Sequence, residues 1–158
     1  MINRKSIPLS CYALTLALLL IASMALCVPE ASAQTMAGSI SAMTGTATIT
    51  RGGAAIPAAY GIKVDVGDRI VTGAGSNVTV TLGDGSQIEV ADSSNLTIDE
   101  NTLNADGSRA STRVSLLGGM VRSLVRSTPG RAPNFEVHTP NAVASARGTS
   151  YDVDYHKD

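Results

Sequence analysis

The chain after residue 45 is a succession of short runs in which hydrophobic and polar residues alternate. In residues 78–82, valine and leucine alternate with threonine, and the alternation resumes at residue 87 after four turn-forming residues. Successive side chains of a β-strand point to opposite faces, so this pattern predicts strands with one buried face. A glycine-rich segment between two such runs predicts a hairpin. The predicted strands cover residues 46–50, 62–66, 69–72, 78–82, 87–90, 96–98, 113–117, 120–126, 135–138, 142–146 and 150–154.

Helical patterning is missing from the chain after its N-terminal region, because no long segment there carries an apolar stripe at helical spacing. Two polar segments, 101–112 with its Asp-Gly pair and 127–134 with two prolines, are predicted loops. Aromatic residues make up only 3% of the sequence, so aliphatic side chains must form the core. We therefore predict an all-β fold, either a β-solenoid-like stack of short strands or a sandwich-like pair of sheets.

The N-terminal region has a different pattern. Arg4 and Lys5 precede an uncharged apolar run over residues 12–28, and Ala31-Ser32-Ala33 follows. This combination predicts a signal peptide over residues 1–33, cleaved after Ala33, ahead of one domain over residues 34–158. The domain is then expected in the periplasm or outside the cell. An uncleaved membrane anchor is the first alternative, although the run is shorter than the roughly 20 residues that span a bilayer.

The two cysteines, Cys11 and Cys27, both lie inside the predicted signal peptide. A lipoprotein anchored at Cys27 is a second alternative, disfavoured because Leu26 is large for the position before a lipidated cysteine. A domain that starts at residue 34 has no thiol for a disulfide, a metal site or a nucleophile. Export without disulfides indicates a bacterial envelope protein.

Charge is unevenly distributed although the net charge is only −1. Residues 34–108 carry a net charge of −5, and residues 109–147 carry +5. Strand geometry places Arg122 and Arg126 on one outward face, and with Arg131 they form a candidate surface for a partner. The alternative is an ordinary solvated strand face whose arginines pair with the acidic half of the chain.

Catalytic chemistry has little support in the sequence. His138 stands at a predicted strand end and His156 close to the C-terminus, and neither has a nucleophile or a set of metal ligands at a suitable spacing. We therefore predict no catalytic residue, no metal and no cofactor. The near-neutral charge also gives no reason to expect nucleic acid as a partner.

Several motifs resemble the FecR domain of bacterial envelope proteins. The most specific are Gly-Asp-Arg-Ile-Val-Thr at 67–72, Asp-Gly-Ser at 84–86 and Arg-Gly-Thr at 147–149. Six segments follow the order and spacing of that family, at residues 45–51, 66–73, 80–88, 114–121, 135–140 and 146–153. The glycines and aspartates in them are suited to turning the chain, so we interpret them as structural. These structural positions are Gly67, Asp68, Asp84, Gly85, Gly118, Gly119, Arg147, Gly148 and Thr149.

The resemblance implies an all-β, solenoid-like fold without catalytic activity. Members that regulate iron uptake combine a cytoplasmic anti-sigma segment, a membrane helix and a periplasmic domain that receives a signal from an outer-membrane transporter. Only 11 residues precede the apolar run here, so direct control of a sigma factor is not expected. The chain also stops soon after Arg-Gly-Thr, which predicts a short domain or one truncated at its C-terminal end. An exposed strand edge near residues 150–154 would then invite β-addition or be protected by its aspartates.

The sequence therefore predicts a non-catalytic periplasmic FecR-type module that works by protein–protein contact with an unknown envelope protein. The alternative is a structural envelope protein that contacts peptidoglycan or assembles with itself. Neither hypothesis involves nucleic acid or a small-molecule substrate.

Overall fold

Twelve β-strands and no helix make up the part of the chain that the computed structural model describes, which is residues 35–127, 134–146 and 150–156. Among these residues no helix is long and apolar enough to cross a membrane. The strands are β1 (Met36–Thr44), β2 (Ala47–Arg51), β3 (Ala54–Pro57), β4 (Lys63–Asp65), β5 (Arg69–Thr72), β6 (Asn77–Leu82), β7 (Gln87–Val90), β8 (Asn95–Leu103), β9 (Arg109–Leu124), β10 (Phe135–His138), β11 (Val143–Ala146) and β12 (Ser150–Tyr155).

Strand β6 shows how the alternating pattern is realised. Val78, Val80 and Leu82 are buried, whereas the two threonines between them are partly exposed. Strand β7 alternates in the same way, with buried Ile88 and Val90. The two strands pair antiparallel across the turn over residues 83–86, as the glycine-rich spacer predicts.

The strands form one curled sheet, a half-barrel, in the order β3-β2-β5-β8-β9-β7-β6-β1-β4. Strands β10 and β12 also pair with β9, and β11 pairs with β10. All pairs are antiparallel except β10 with β9, which is parallel. The all-β prediction is confirmed. Within that class the structure shows a curled sheet whose ladders form two groups that share β9.

Strand β9 is what makes the sheet continuous. Its N-terminal part pairs with β8 and β10, and its C-terminal part pairs with β7 and β12. Gly118 and Gly119 lie where one part passes into the other, beside an irregular register with β8. Gly119 has φ +85°, and a Cβ there would lie 2.6 Å from Ser94 Cα. The glycine pair therefore bends one strand of 16 residues, which the sequence predicted as two strands.

One hydrophobic core lies inside the curl and draws side chains from nearly every strand. Phe135 is its largest fully buried residue, and its ring meets that of Tyr151 edge-on at 6.3 Å. These two residues belong to β10 and β12, which flank different parts of β9. The contact therefore joins the two halves of the curled sheet at the core.

The predicted loop over residues 101–112 is wrong except at its centre. Strands β8 and β9 continue into it and meet at a turn around Gly107, whose N–H donates to the Asn104 carbonyl oxygen at 2.9 Å. Polar residues occupy buried strand positions here because they find partners. Asn101 Nδ2 donates to the Ala37 carbonyl oxygen at 3.0 Å, and Thr112 Oγ1 donates to Asn101 Oδ1 at 2.9 Å.

Strands β1 and β3 were not predicted at all. Strand β1 is built from small and weakly β-forming residues, and β3 is Ala-Ala-Ile-Pro. Gly38 in β1 is needed because a Cβ there would lie 2.9 Å from the Thr81 carbonyl carbon of β6. The close approach of the two backbones thus requires a glycine, and glycine is a weak β-former that does not indicate a strand in the sequence.

Candidate functional site

The predicted partner surface lies on the outer face of the C-terminal part of β9 and the residues after it. Arg122, Leu124 and Arg126 are exposed, whereas the residues between them face the core. This is the alternation that the sequence predicts for a strand with one solvated face. Arg131, the third predicted member of the surface, lies outside the described residues.

Arg122 is engaged by carboxylates on both neighbouring strands. Its Nε donates to Asp152 Oδ1 of β12 at 2.8 Å, and its Nη2 donates to Asp152 Oδ2 at 3.1 Å. Its Nη1 lies 3.9 Å from Glu89 Oε2 of β7. The hydrogen bonds with Asp152 raise the pKa of Arg122 and lower the pKa of Asp152. Two neighbouring carboxylates therefore balance the charge of Arg122, mainly that of Asp152, which lies outside the acidic half of the chain.

Arg126 is positioned by its backbone. Its N–H donates to Ser86 Oγ at 3.0 Å, and its carbonyl oxygen accepts from Arg109 Nη2 at 3.2 Å. The exposed guanidinium lies against Gly85, where a Cβ would be 2.8 Å from Arg126 Nη1. The Asp-Gly-Ser motif at residues 84–86 thus holds the Arg126 end of this surface in place.

Leu124 is a large apolar side chain on this otherwise polar face and is 52% exposed. It lines a shallow depression of about 170 Å³ together with Thr79, Gln87, Arg122 and Ser150. Exposed leucines that stand alone are common on protein surfaces. Here the leucine is rimmed by hydrogen-bonding side chains, which is the arrangement of many protein-contact surfaces.

A buried ion pair lies directly beneath this end of β9. Arg109 Nη1 is 2.7 Å from Asp84 Oδ2, and the two side chains are only 4% and 5% exposed. The Arg109 Nη1 also donates to Ser86 Oγ at 2.9 Å, and Ser86 Oγ donates to Asp84 Oδ2 at 2.7 Å. The guanidinium carbon stands 5.6 Å from the centre of the Phe135 ring. The Asp-Gly-Ser motif therefore binds a buried arginine of the same chain.

The Gly-Asp motif before β5 is built on the same principle. Asp68 is fully buried and accepts from Arg51 Nε at 2.9 Å and from Arg51 Nη2 at 2.6 Å. Its Oδ2 also accepts from the Asp65 N–H at 2.9 Å. Gly67 has φ +90°, which turns the chain between β4 and β5 and delivers Asp68 to this position.

Of the predicted structural positions, Gly85 and Gly118 lie in a turn and in a strand, and the last three lie outside the described residues. Gly85 has φ +82° in the turn between β6 and β7, and Gly118 lies within β9. The Arg-Gly-Thr motif at 147–149 lies outside the described residues. Sequence reasoning missed the counter-ions Arg51 and Arg109, and an aspartate in a turn motif gives no sign of which arginine it pairs with.

The acidic and basic halves of the chain pair with each other across β9. Arg109 pairs with Asp84, Arg122 reaches Glu89, and Arg113 Nη1 lies 3.2 Å from Glu100 Oε2. Basic residues of one half thus form ion pairs with acidic residues of the other half inside the domain. What the arrangement leaves on the surface is a mixed face around Leu124 rather than a basic patch.

The two histidines lie beside carboxylates and away from this surface. His138 Nε2 is 2.8 Å from Glu136 Oε2, and this contact lowers the pKa of Glu136. His156 Nε2 is 3.1 Å from Asp154 Oδ1. Within the described ranges no group of three or more histidine, cysteine, aspartate or glutamate residues could hold a metal ion.

The comparison with protein families decides the identity of the domain. The model of the family described as FecR protein matches residues 68–158. The chain belongs to the FecR family. The match starts at the buried Asp68 and includes all of β5 to β12, so the predicted resemblance is confirmed. FecR is a regulatory family, not known as enzymatic, and membership implies a signalling-related domain. No curated protein and no solved structure matches the chain.

Proposed function

We propose that this FecR domain is a non-catalytic module that acts by protein–protein contact in the cell envelope. The observation that supports it most is the face of β9 on which Leu124 is 52% exposed among Thr79, Gln87 and Arg122. The aspartates of the two most specific described motifs, Asp68 and Asp84, are buried in ion pairs. These two aspartates therefore stabilise the fold. The exposed face of β9 is the surface that we propose contacts another protein.

A photo-crosslinking residue in place of Leu124 tests this role in cells that make the full chain. We expect a discrete crosslinked product that mass spectrometry assigns to one envelope protein. The same residue at Thr97, on the outer side of β8, is the control and should give no such product. Products that are identical at both positions, or missing at both, would contradict the proposal.

Charge reversal gives a second readout of the same surface. Arg122→Glu combined with Arg126→Glu should weaken the crosslink at position 124. Arg113→Glu is the matched control, because Arg113 is also exposed and also contacts two carboxylates, Glu100 and Glu136. Equal losses in both variants would show that the effect is general and unrelated to this face.

The structural alternative predicts different results. A domain that contacts peptidoglycan should co-sediment with purified sacculi, and one that assembles with itself should form oligomers as its concentration rises. Either result without a protein crosslink at position 124 would favour that alternative.

We also propose that the leader is cleaved and the domain is released into the periplasm. An intact mass that starts at Gln34, found in the periplasmic fraction, is the expected result. A full-length species in the membrane fraction would instead make the protein an anchored sensor.

A further inference from the structure

Strand β12 has one neighbour among the described residues, and that neighbour is β9. The hydrogen bonds of β9 determine in which direction the N–H and C=O groups of β12 point. The Ala91 N–H donates to the Met120 carbonyl oxygen at 3.0 Å, so Met120 directs its backbone groups toward β7. Because these directions alternate along a strand, Arg122 also faces β7, whereas Val121 and Ser123 face β12.

The register then assigns the two sides of β12. Tyr151 stands opposite Ser123 and Val153 opposite Val121, so their backbone groups point at β9. Asp152 and Asp154 consequently direct their N–H and C=O groups to the other side, where the described part of the chain places no strand. This outer edge of β12 is a template for an added strand.

The two faces of β12 dictate the side chains that such a strand would carry. On the inner face, Tyr151, Val153 and Tyr155 are only half-buried and pack against the core, so apolar residues beside them would extend it. On the outer face, Asp152 and Asp154 are exposed. Asp152 is paired with Arg122, so a basic residue of the added strand would form its cross-strand pair with Asp154.

A depression of about 300 Å³ beside Asp154 strengthens the case for a basic side chain. It is lined by Asp92, Met120, Asp154 and His156, among others. Met120 stands opposite Asp154 in β9, so the depression lies on the β9 side of Asp154, and the carboxylates of Asp92 and Asp154 make this end of β12 acidic.

A second copy of the chain does not meet these requirements. An antiparallel pairing of two β12 strands that keeps the faces aligned overlaps over five residues when it is centred on Asp152 or Val153, whereas centres at Tyr151, Asp154 or Tyr155 overlap over three strand residues or fewer. Centres at either aspartate put that residue opposite itself, and a centre at Val153 puts Asp152 opposite Asp154. Carboxylates that face each other directly destabilise a strand pair.

We propose that the outer edge of β12 receives an extended segment of another protein as an added strand, with alternating basic and apolar residues. This proposal rests on the proposed role in protein–protein contact and specifies the kind of segment that the partner would supply. The backbone groups of Asp152 and Asp154 supply the hydrogen bonds, and the carboxylate of Asp154 selects a basic side chain, because the Asp152 carboxylate is already paired with Arg122.

Amide hydrogen exchange measured by NMR tests the edge directly, on protein purified from cells that make the full chain. In the free protein, Tyr151 and Val153 should exchange slowly, whereas Asp152 and Asp154 should exchange fast. A capped synthetic peptide with alternating valine and lysine should slow the exchange of Asp152 and Asp154 by about tenfold or more. A peptide with glutamate in place of lysine is the matched control and should have no effect.

A backbone variant separates strand addition from simple charge attraction. Asp154→Pro removes the outward N–H without touching the pairing with β9, and should abolish peptide binding. Asp154→Asn keeps that N–H and should weaken binding only. Circular dichroism identifies a variant that has lost its fold, and the exchange measurement on the unchanged protein does not depend on either variant.

Four results would overturn the proposal. The lysine peptide could leave the exchange unchanged, or the glutamate peptide could act equally well. Slow exchange of Asp152 and Asp154 in the free protein would mean that another part of the chain, or a second copy, already occupies the edge. A crosslink at position 124 that persists unchanged in Asp154→Pro would retain the role in protein contact while rejecting strand addition.

Discussion

Replacing Arg109 by methionine tests the claim that the Asp-Gly-Ser motif is a binding site for a buried arginine. The change keeps an aliphatic chain of similar length but leaves the Asp84 carboxylate, 5% exposed, without its counter-ion. Removing one partner of a buried ion pair costs about 3–5 kcal/mol. The Ser86 N–H and hydroxyl still donate to Asp84, which places the expected loss near the lower end, about 3 kcal/mol.

Urea unfolding followed by far-ultraviolet circular dichroism is the assay. With a slope of about 1–3 kcal/mol per molar urea, a loss of about 3 kcal/mol lowers the midpoint by about 1–3 M. The double variant Asp84→Asn with Arg109→Met should be more stable than Arg109→Met alone, because no unpaired charge is then buried.

Arg122→Met is the matched control, because Arg122 also pairs with an aspartate through two hydrogen bonds but does so on the surface. Solvent screens that pair, so a smaller loss of stability is expected. If Arg109→Met lowers the midpoint no more than Arg122→Met does, the buried pair does not hold this end of the sheet together and the reasoning fails.

Three further measurements test the backbone and the core. Gly119→Ala should destabilise by about 1–3 kcal/mol in urea unfolding, because φ is +85° and Ser94 Cα stands 2.6 Å from the new Cβ, whereas Gly118→Ala meets no atom within 4 Å and should cost far less. Gly67→Val should cost about 1 kcal/mol or more through its φ of +90° alone; an unchanged midpoint would contradict this. Burial raises the pKa of Tyr151 to about 12, so the phenol stabilises the fold fully below pH 10, and this contribution is lost as the pH rises to about 12. Absorbance titration of the folded protein should show one late-ionising tyrosine that Tyr151→Phe removes.

The sequence was sufficient for strands whose apolar side chains alternate and are buried. β5, β7 and β10 have the predicted bounds, because each is a short run of β-forming residues with a clear turn signal beside it. Burial of Val121 and Val125 with exposure of Arg122 and Leu124 likewise follows from period-two geometry.

What the sequence could not supply was tertiary in origin. Asn101 and Thr112 read as loop residues and became buried strand residues because a hydrogen bond joins them. Gly118-Gly119 resembles a turn between two strands, yet the chain continues through the pair as one strand, paired with β8 before it and with β12 after it. The pairing of Arg122 with Asp152 spans 30 residues, and no local pattern selects that aspartate over the others. The candidate face was therefore predictable, but its charge balance was not.

Because β9 pairs with strands of both parts of the sheet, it affects the order in which the chain folds. The eight strands before it can form local hairpins, such as β6 with β7, but the two groups they make become one hydrogen-bonded sheet only when β9 pairs with both β7 and β8. Val114, Leu116 and Val121 of β9 also complete the core. Folding therefore waits for a central strand that arrives late in synthesis, and non-local pairing of this kind is slow. For the export proposed above, a precursor that stays open until its last third has emerged would keep the extended form that a narrow protein-conducting channel requires.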